Sequence, residues 1–381
     1  MKLNRNGRLK GLAIGTAAVV SSLTLVACGS DDNTGGDSGG SDTSATTGAV
    51  ACPESPTELM ASGSSAQKNA MDEWVKAYQA ACEGASVNYQ SVGSSSGRTQ
   101  FLEGTTDFAG SDSAIKEDEL TQSEQRCEGG RALNLPMLAG PIAIAYNLEG
   151  VEDLVLDAPT IAGIFDGSIT KWNAPEIAAL NEGVELPDTD IQAYHRSDGS
   201  GTTDNFTKFL EAAAPDAWTY GTGSDWSGPA DATGAQSAKG SEGVTKGVEE
   251  TPGAITYVEV SFAENSGLST ARIATGAAEP VAVTPEAVST TIAGSEITGT
   301  DGDLTMSLNY ATTEDGAYPI ALITYEIVCS TGNDAEKLDD LKAFLNYTAS
   351  EAGQGLLPDN GYAALPTEVA EQVRTTIDSL S

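Results

Sequence analysis

The chain has 381 residues, with 19 Lys and Arg against 55 Asp and Glu, so its formal net charge at pH 7 is −36. A surface this acidic argues against nucleic acid and anionic membrane surfaces as partners, because both carry negative charge. It does not argue against a small anion, since short-range hydrogen bonds in a closed cleft outweigh a screened surface field.

The N-terminus carries the pattern of an exported lipoprotein. Four Lys and Arg residues precede a short apolar run from Leu12 to Ala27, which is typical of a signal peptide rather than a membrane span. The run ends in Leu25-Val26-Ala27-Cys28, which is similar to a bacterial lipobox. We therefore expect residues 1–27 to be a lipoprotein signal peptide and Cys28 to carry a diacylglycerol, which anchors the protein to the outer face of the cell membrane. A plain signal peptide with a nearby cysteine is the alternative.

Residues 28–56 are predicted to be the lipid anchor and a disordered linker. From residue 29 to about residue 50 the chain consists mostly of Ser, Asp, Gly and Thr, and such a segment cannot bury enough apolar surface to fold. A flexible segment of roughly 25 residues spans about 25–30 Å. The folded part is therefore expected to stay near the membrane.

The rest of the chain alternates predicted strands and helices, which indicates α/β layers. Its length of about 325 residues is sufficient for two lobes with separate cores. Apolar segments on either side of Pro136 and Gly140-Pro141 are interpreted as a crossing between the lobes. The region from Thr222 to Gly247 is rich in Gly, Ser and Asp and is predicted to form loops.

At three places a predicted strand leads through a Gly- and Ser-rich loop into a predicted helix. The loops are Gly63-Ser64-Ser65, Gly93 to Gly97 and Ser197 to Gly201. A helix N-terminus presents unpaired backbone N–H groups and the positive end of the helix dipole. Three converging N-termini would surround an oxyanion with neutral hydrogen-bond donors.

The third loop and the residues on either side of it also carry side chains that suit an anion. Arg196 offers a planar guanidinium with five N–H donors, and Ser200 and Thr202 add hydroxyl groups. Asp198 is expected to hold the guanidinium in place. An ordinary surface turn with an Arg–Asp contact is the alternative.

The sequence offers little support for catalysis. It has no Gly-x-x-x-x-Gly-Lys-[Ser/Thr] loop, no dinucleotide-binding glycine motif after a strand, and no Cys-x-x-Cys pair or Cys/His cluster for a metal. A nucleophile elbow requires Gly where Asp198 stands. We therefore expect no enzymatic activity, no cofactor and no metal. His195, the only histidine, stands near Ser197 and Ser200 and leaves an exported serine hydrolase or phosphatase as the alternative.

Four cysteines follow Cys28, namely Cys52, Cys82, Cys127 and Cys329. In an exported protein they are expected to form two disulfides, and the sequence permits three pairings. The predicted topology favours Cys52 with Cys82, because both would lie at the same end of the first strand–helix unit. Cys127 with Cys329 then follows by elimination.

Several segments, taken together and in order, resemble the PstS-type phosphate-binding proteins, the substrate-binding components of bacterial phosphate ABC importers. The resemblance extends from about Glu58 to the C-terminus, and the acidic composition and cysteine pattern are similar to lipid-anchored actinobacterial members. It is carried by Ala61 to Ser65, Val87 to Ser95, Asp107 to Asp112, Ile164 to Trp172, Arg196 to Thr202 and Pro252 to Val258.

The resemblance implies a type 2 periplasmic-binding-protein fold, in which two α/β lobes close on a ligand cleft. Residues 57–141 and 308–381 would form lobe I, and residues 142–307 would form lobe II. The ligand would be inorganic phosphate, the partners would be the permease subunits of an ABC transporter, and the protein would be a monomer. The phosphate-binding residues would be Ser65, Ala66 through its backbone N–H, Ser94, Asp112, Arg196, Ser200, Gly201 and Thr202, with Asp198 orienting Arg196.

The resemblance also places a carboxylate, that of Asp112, against an anion. This is favourable when the anion carries a proton, because a carboxylate only accepts hydrogen bonds and hydrogen phosphate has an O–H to donate. Sulfate has no such proton near neutral pH, so Asp112 is predicted to select phosphate over sulfate. The alternative is that Asp112 caps a helix or pairs with Arg196.

Overall fold

The computed structural model describes residues 50–381. The predicted signal peptide, the predicted lipidation site Cys28 and residues 28–49 of the predicted linker lie outside the described residues. Residues 50–57 have no regular secondary structure. Within the described part of the chain, no helix combines the length and the apolar character needed to cross a membrane.

Strands and helices alternate along most of the described chain. The strands are β1 (Glu58–Gly63), β2 (Ser86–Ser91), β3 (Phe108–Ser111), β4 (Ala132–Tyr146), β5 (Val155–Asp157), β6 (Gln192–Arg196), β7 (Ala235–Ala238), β8 (Ala254–Glu259), β9 (Ser269–Thr270), β10 (Arg272–Ala274), β11 (Glu296–Ile297), β12 (Met306–Ser307) and β13 (Ala321–Cys329). The helices are α1 (Lys68–Ala81), α2 (Ser94–Leu102), α3 (Glu117–Arg126), α4 (Ala158–Asp166), α5 (Pro175–Leu180), α6 (Gly201–Ala213), α7 (Gly240–Glu250), α8 (Val260–Asn265), α9 (Pro285–Ala293), α10 (Leu338–Thr348), α11 (Glu351–Gln354) and α12 (Thr367–Ser379).

The main sheet has the strand order β2-β1-β3-β13-β4-β8-β6-β7, and β9 pairs with β4. Strands β1, β2 and β3 run parallel to one another, as do β6, β7 and β8, whereas β4 and β13 run antiparallel to their neighbours. Residues 132–141 of β4 pair with β13, and residues 142–146 pair with β8. Each half of the sheet belongs to one lobe, so the predicted two-lobed α/β architecture is confirmed.

The crossing between the lobes is one continuous strand, β4, in which Pro136 and Gly140-Pro141 do not interrupt the two predicted apolar segments. All of β4 is buried, and Pro136 and Pro141 lie within it. The register of β13 shifts opposite Pro136, between Thr324 and Tyr325, and such an irregularity tolerates a residue that has no N–H to donate. The buried apolar side chains form one continuous cluster across both lobes.

The prediction of loops from residue 222 to 247 is confirmed as far as residue 234 but is wrong beyond it, because β7 and α7 follow. Its many glycines and serines obscured an apolar pair, Val244 and Val248, which lie one helical turn apart and are both buried. Strand β7 pairs with β6 at the edge of the sheet. That pairing is a tertiary contact, and composition does not reveal it.

Both disulfides that the predicted topology favours are present. The Cα atoms are 5.4 Å apart in Cys52–Cys82 and 5.2 Å apart in Cys127–Cys329. The first joins the segment before β1 to the end of α1, and the second joins the end of α3 to the end of β13. Both therefore brace the lobe that contains β1 to β3, and the predicted pairing is confirmed.

Candidate anion-binding site

Helices α1, α2, α6 and α7 each follow a parallel strand, namely β1, β2, β6 and β7. Their N-terminal ends meet across the cleft between the lobes. Ser95 N–H donates to Gly199 O at 3.2 Å, and Ser241 N–H donates to Ser65 Oγ at 3.0 Å. The structure therefore brings the three predicted Gly/Ser loops together and adds a fourth helix N-terminus, that of α7.

Asp112 follows β3 directly, and its side chain is only 3% exposed. Its Oδ1 accepts a hydrogen bond from Thr324 Oγ1 at 2.8 Å, and its Oδ2 accepts one from Ser64 Oγ at 2.8 Å. Ser94 Oγ and Thr202 Oγ1 lie 3.3 and 3.5 Å from Oδ2. Hydroxyl groups from both lobes thus hold the carboxylate in one orientation.

The electrostatic environment of Asp112 combines two opposing effects. Burial raises the pKa of its carboxyl above the ordinary value, because a buried charge loses its hydration. The hydroxyl hydrogen bonds and the positive charge of Arg196 act in the opposite direction. Arg196 forms its ion pair with Asp198, so among the described residues the guanidinium is held by that carboxylate and not by Asp112.

Arg196 is the last residue of β6 and is 2% exposed. Its Nε and Nη2 donate to the two carboxylate oxygens of Asp198 at 2.7 and 2.5 Å. Gly240 N–H donates to the same carboxylate at 3.0 Å. Burial alone would raise the pKa of Asp198, but the hydrogen bonds and charge of Arg196 lower it below the usual value. Asp198 therefore fixes the orientation of the guanidinium.

The start of α6 approaches the first lobe very closely. Ser200 caps the helix, since its Oγ accepts a hydrogen bond from Thr203 N–H at 3.2 Å. A Cβ atom on Gly201 would lie 2.5 Å from Cβ of Asp112, so only glycine permits this approach. Ser200, Gly201 and Thr202 thus lie beside Asp112.

Ser65 and Ala66 are buried at the turn that leads into α1. Ser65 Oγ lies 2.9 Å from Ser241 Oγ, across the cleft. Ala66 N–H donates to Ser64 Oγ at 3.0 Å, and Ala66 O accepts a hydrogen bond from Tyr362 at 2.7 Å. Ser64 therefore links Ala66 to Asp112.

Sequence reasoning missed several residues of this region. Ser64 and Thr324 donate to Asp112, Ser241 contacts Ser65, and the Tyr257 hydroxyl accepts a hydrogen bond from Arg196 N–H at 3.1 Å. Two of them had a usable signal: Ser64 stands in the predicted Gly63-Ser64-Ser65 loop, and Gly240-Ser241 precedes the buried pair of α7 just as the other loops precede their helices. The roles of Thr324 and Tyr257 follow from strand order alone.

Glu326 is a second buried carboxyl group near the site. It lies on β13 opposite Gly110 of β3 and is 0% exposed. Neither of its carboxyl oxygens has a hydrogen-bond partner among the described residues. Burial, and to a smaller degree the charge of Asp112, raise the pKa of Glu326 from 4.5 to about 8, while the neighbouring Gln67 side chain acts in the opposite direction. The neutral form of Glu326 is therefore favoured at neutral pH.

A Glu326→Gln variant is expected to change how stability depends on pH. Between pH 4.5 and about 8 the native protein retains a proton that the unfolded chain releases, so the free energy of unfolding falls as the pH rises through this window. The isosteric amide does not titrate, so the slope should become more positive by up to about 1.4 kcal/mol per pH unit. Urea unfolding at several pH values measures this slope. The exposed Glu103→Gln serves as control, and equal slopes in parent and Glu326→Gln would contradict the assignment.

Comparisons with known sequences find similar proteins along the whole chain. A family profile described as the PBP superfamily domain matches residues 40–352. Phosphate-binding protein PstS 3 of Mycobacterium tuberculosis is 44% identical over 384 residues, which cover 100% of both chains. Phosphate-binding protein PstS 2 of the same species is 42% identical over 387 residues, again with 100% of both chains covered.

Solved structures support the same fold. The crystal structure of a phosphate binding protein from Stenotrophomonas maltophilia superposes with a TM-score of 0.66 and 20% sequence identity. The match covers 84% of this chain and 93% of the other. At this identity the similarity concerns the two-lobed fold alone.

Proposed function

The chain belongs to the family of PstS-type phosphate-binding proteins, and we propose that it binds inorganic phosphate with high affinity outside the cytoplasmic membrane and delivers it to an ABC transporter for import. One observation supports this most directly. The preoriented guanidinium of Arg196 and the buried carboxylate of Asp112 stand among helix N-termini from both lobes. Such a site offers positive charge, neutral N–H and hydroxyl donors, and one anionic acceptor.

The chemistry of phosphate fits this set of groups. Arg196 and the N-termini of α2 and α6 compensate the negative charge of the oxyanion, and Asp112 accepts the proton of a P–O–H group. We assign the phosphate contacts to Ser65, the Ala66 N–H, Ser94, Asp112, Arg196, Ser200, Gly201 and Thr202, with Asp198 as the residue that orients Arg196. The close approach of the two lobes around Asp112 supports this assignment.

Binding is expected to involve closure of the lobes on the ligand. We assign residues 57–141 and 308–381 to lobe I, and residues 142–307 to lobe II. The change of partner strand within β4, between Pro141 and Ile142, supports the first boundary. The N–H of Ile142 donates to Ile320 O at 2.8 Å, so the segment that enters β13 runs beside β4 at this crossing.

Delivery requires that the protein stay at the membrane. In this proposal residues 1–27 are removed, Cys28 carries the lipid, and residues 28–56 tether a monomeric binding protein close to the permease subunits of the transporter. The protein is then a carrier and not an enzyme. The acidic composition of the chain fits the binding of a small anion inside a cleft, and it does not fit the binding of a nucleic acid or an anionic membrane surface.

The alternative of an exported hydrolase centred on His195 and Ser200 receives no support from geometry. His195 Nδ1 lies 3.0 Å from Arg196 O, and its ring stacks on Trp226 with a centroid distance of 4.7 Å. Burial lowers the pKa of His195. The hydroxyl of Ser200 caps α6, so the two side chains have separate structural roles.

The purified protein should retain phosphate in a one-to-one ratio. Phosphate is measured after the protein is unfolded, and again after the unfolded protein has been dialysed, refolded and titrated with phosphate. Turnover of a phosphoester such as p-nitrophenyl phosphate is measured in parallel, with His195→Gln as control. Turnover that depends on His195, without retained phosphate, would overturn the proposed function.

A further inference from the structure

We propose that Ser113, Asp204 and Asn205 form a clasp that holds the two lobes closed without touching the ligand, and that this clasp sets how long phosphate is retained. The inference rests on the proposed function, because it concerns the residence of phosphate in the same cleft. The three residues lie on the two segments that meet beside Asp112, at residues 112–113 and 201–205.

The first part of the clasp is a hydrogen bond between the lobes. Ser113 follows β3 and Asp112 in one lobe, and Asp204 lies in the first turn of α6 in the other. Ser113 Oγ donates to Asp204 Oδ2 at 2.7 Å, and both residues are buried. Hydrogen bonds to a charged acceptor are stronger than neutral ones, and exclusion of water strengthens them further. This bond exists only while the lobes are together.

Lys208 keeps the carboxylate of Asp204 paired when the Ser113–Asp204 hydrogen bond breaks. Its Nζ lies 2.7 Å from the same Oδ2 of Asp204, and its side chain is 41% exposed. When Ser113 moves away, Asp204 keeps this cationic partner at the edge of the cleft. An uncompensated buried charge, which would make opening very costly, is thereby avoided. The pair is suited to repeated opening and closing.

Asn205 forms the second part of the clasp. Its Nδ2 donates to Asp112 O and to Gly201 O, each at 2.8 Å, so one amide group bridges the backbones of both lobes. The hydroxyl of Tyr310 donates to Asn205 Oδ1. Because this oxygen is occupied by a donor, the NH₂ group must face the two carbonyls.

The clasp acts on the equilibrium between open and closed lobes. The side chains of Ser113, Asp204 and Asn205 are absent from the proposed phosphate contacts, and Asn205 reaches Asp112 through its backbone carbonyl only. A bond that is made only in the closed state raises the population of that state, and the apparent affinity rises in proportion. Every ligand that the closed cleft accepts benefits equally.

The test is to remove the hydroxyl with Ser113→Ala and the carboxylate with Asp204→Ala, singly and together. Each single variant should bind phosphate roughly 10- to 100-fold more weakly, mainly through faster dissociation. Arsenate, which has the shape and protonation of phosphate, should weaken by the same factor. The double variant should lose little more phosphate affinity than the single variant that binds more weakly. The reason is that both changes break the same Ser113–Asp204 hydrogen bond.

Ser123→Ala is the matched control, because the buried Ser123 Oγ donates to Leu120 O at 2.8 Å within one lobe. It should leave phosphate dissociation unchanged. Parent-like affinity in Ser113→Ala, or a changed ratio of phosphate to arsenate affinity, would overturn the clasp, and Ser113→Ala decides this alone if Asp204→Ala does not fold. A parent protein that binds neither anion would overturn the proposed function itself.

Discussion

An Asp112→Asn variant is expected to lose most of the discrimination between phosphate and sulfate. In the proposed site, a buried carboxylate that can only accept hydrogen bonds faces the ligand, so an anion without a proton would meet an unscreened negative charge. A site built to pair a ligand hydroxyl rejects the analogue that lacks it by on the order of 10⁴–10⁵. The Asn amide can donate to an ionised oxygen, so the variant should gain sulfate binding even if it keeps phosphate.

Competition binding of the two anions at neutral pH measures this discrimination. Glu326→Gln is a suitable control, since it makes the same carboxyl-to-amide change at a buried position on β13 that lies outside the proposed phosphate contacts. It should retain the parent's preference. If Asp112→Asn discriminates as well as the parent does, selectivity must come from other groups. The hydroxyls that contact the two oxygens of Asp112 also limit the damage to the fold, because a hydroxyl that faces the amide oxygen can donate to it and one that faces the NH₂ group can accept from it.

An Arg196→Ala variant is expected to bind phosphate roughly 30-fold to several thousand-fold more weakly, which corresponds to about 2–5 kcal/mol. The change removes the cationic side chain of the proposed site, and it also leaves the partly buried carboxylate of Asp198 with the Gly240 N–H as its remaining donor. The variant therefore places negative charge next to the ligand. Calorimetric titration with phosphate measures the effect.

Arg272→Ala provides a control of equal charge. Arg272 lies on β10, its Nε is 3.1 Å from Asp153 Oδ1, and its side chain is 35% exposed. Its removal should leave phosphate affinity unchanged, because Arg272 lies outside the proposed phosphate contacts and solvent screens its partly exposed ion pair. Parent-like affinity in Arg196→Ala would remove this residue from the site. Arg196→Lys tests geometry separately, since it keeps the charge but lacks the planar fork that binds Asp198.

Local interactions could be predicted because neighbours in sequence are neighbours in space. Arg196 and Asp198 are two residues apart, at the end of a strand, and their pairing follows from chain geometry and charge. The Gly/Ser loops before α2 and α6 were recognisable because capping and glycine preferences act within a few residues. The apolar periodicity after each loop located the helices for the same reason.

Other features depend on residues that are far apart in the chain. Thr324 and Asp112 are separated by 212 positions, and they meet because β13 inserts between β3 and β4. Ser113 and Asp204 are separated by 91 positions, and they meet only because the lobes pack together. The Gly- and Ser-rich composition also hid β7, which forms through its pairing with β6. The helix α7 that follows it, with Ser241, was hidden for the same reason.

The sequence alone therefore determined the fold class, the loops that supply anion donors and the chemistry of the groups they carry. Short-range capping, charge and periodicity were enough for these, because their energies depend on a few adjacent residues. The tertiary structure decided which donors reach Asp112, how deeply Glu326 is buried and which residues join the lobes. Those properties come from strand order and from desolvation at a packed interface, which depend on the whole chain at once.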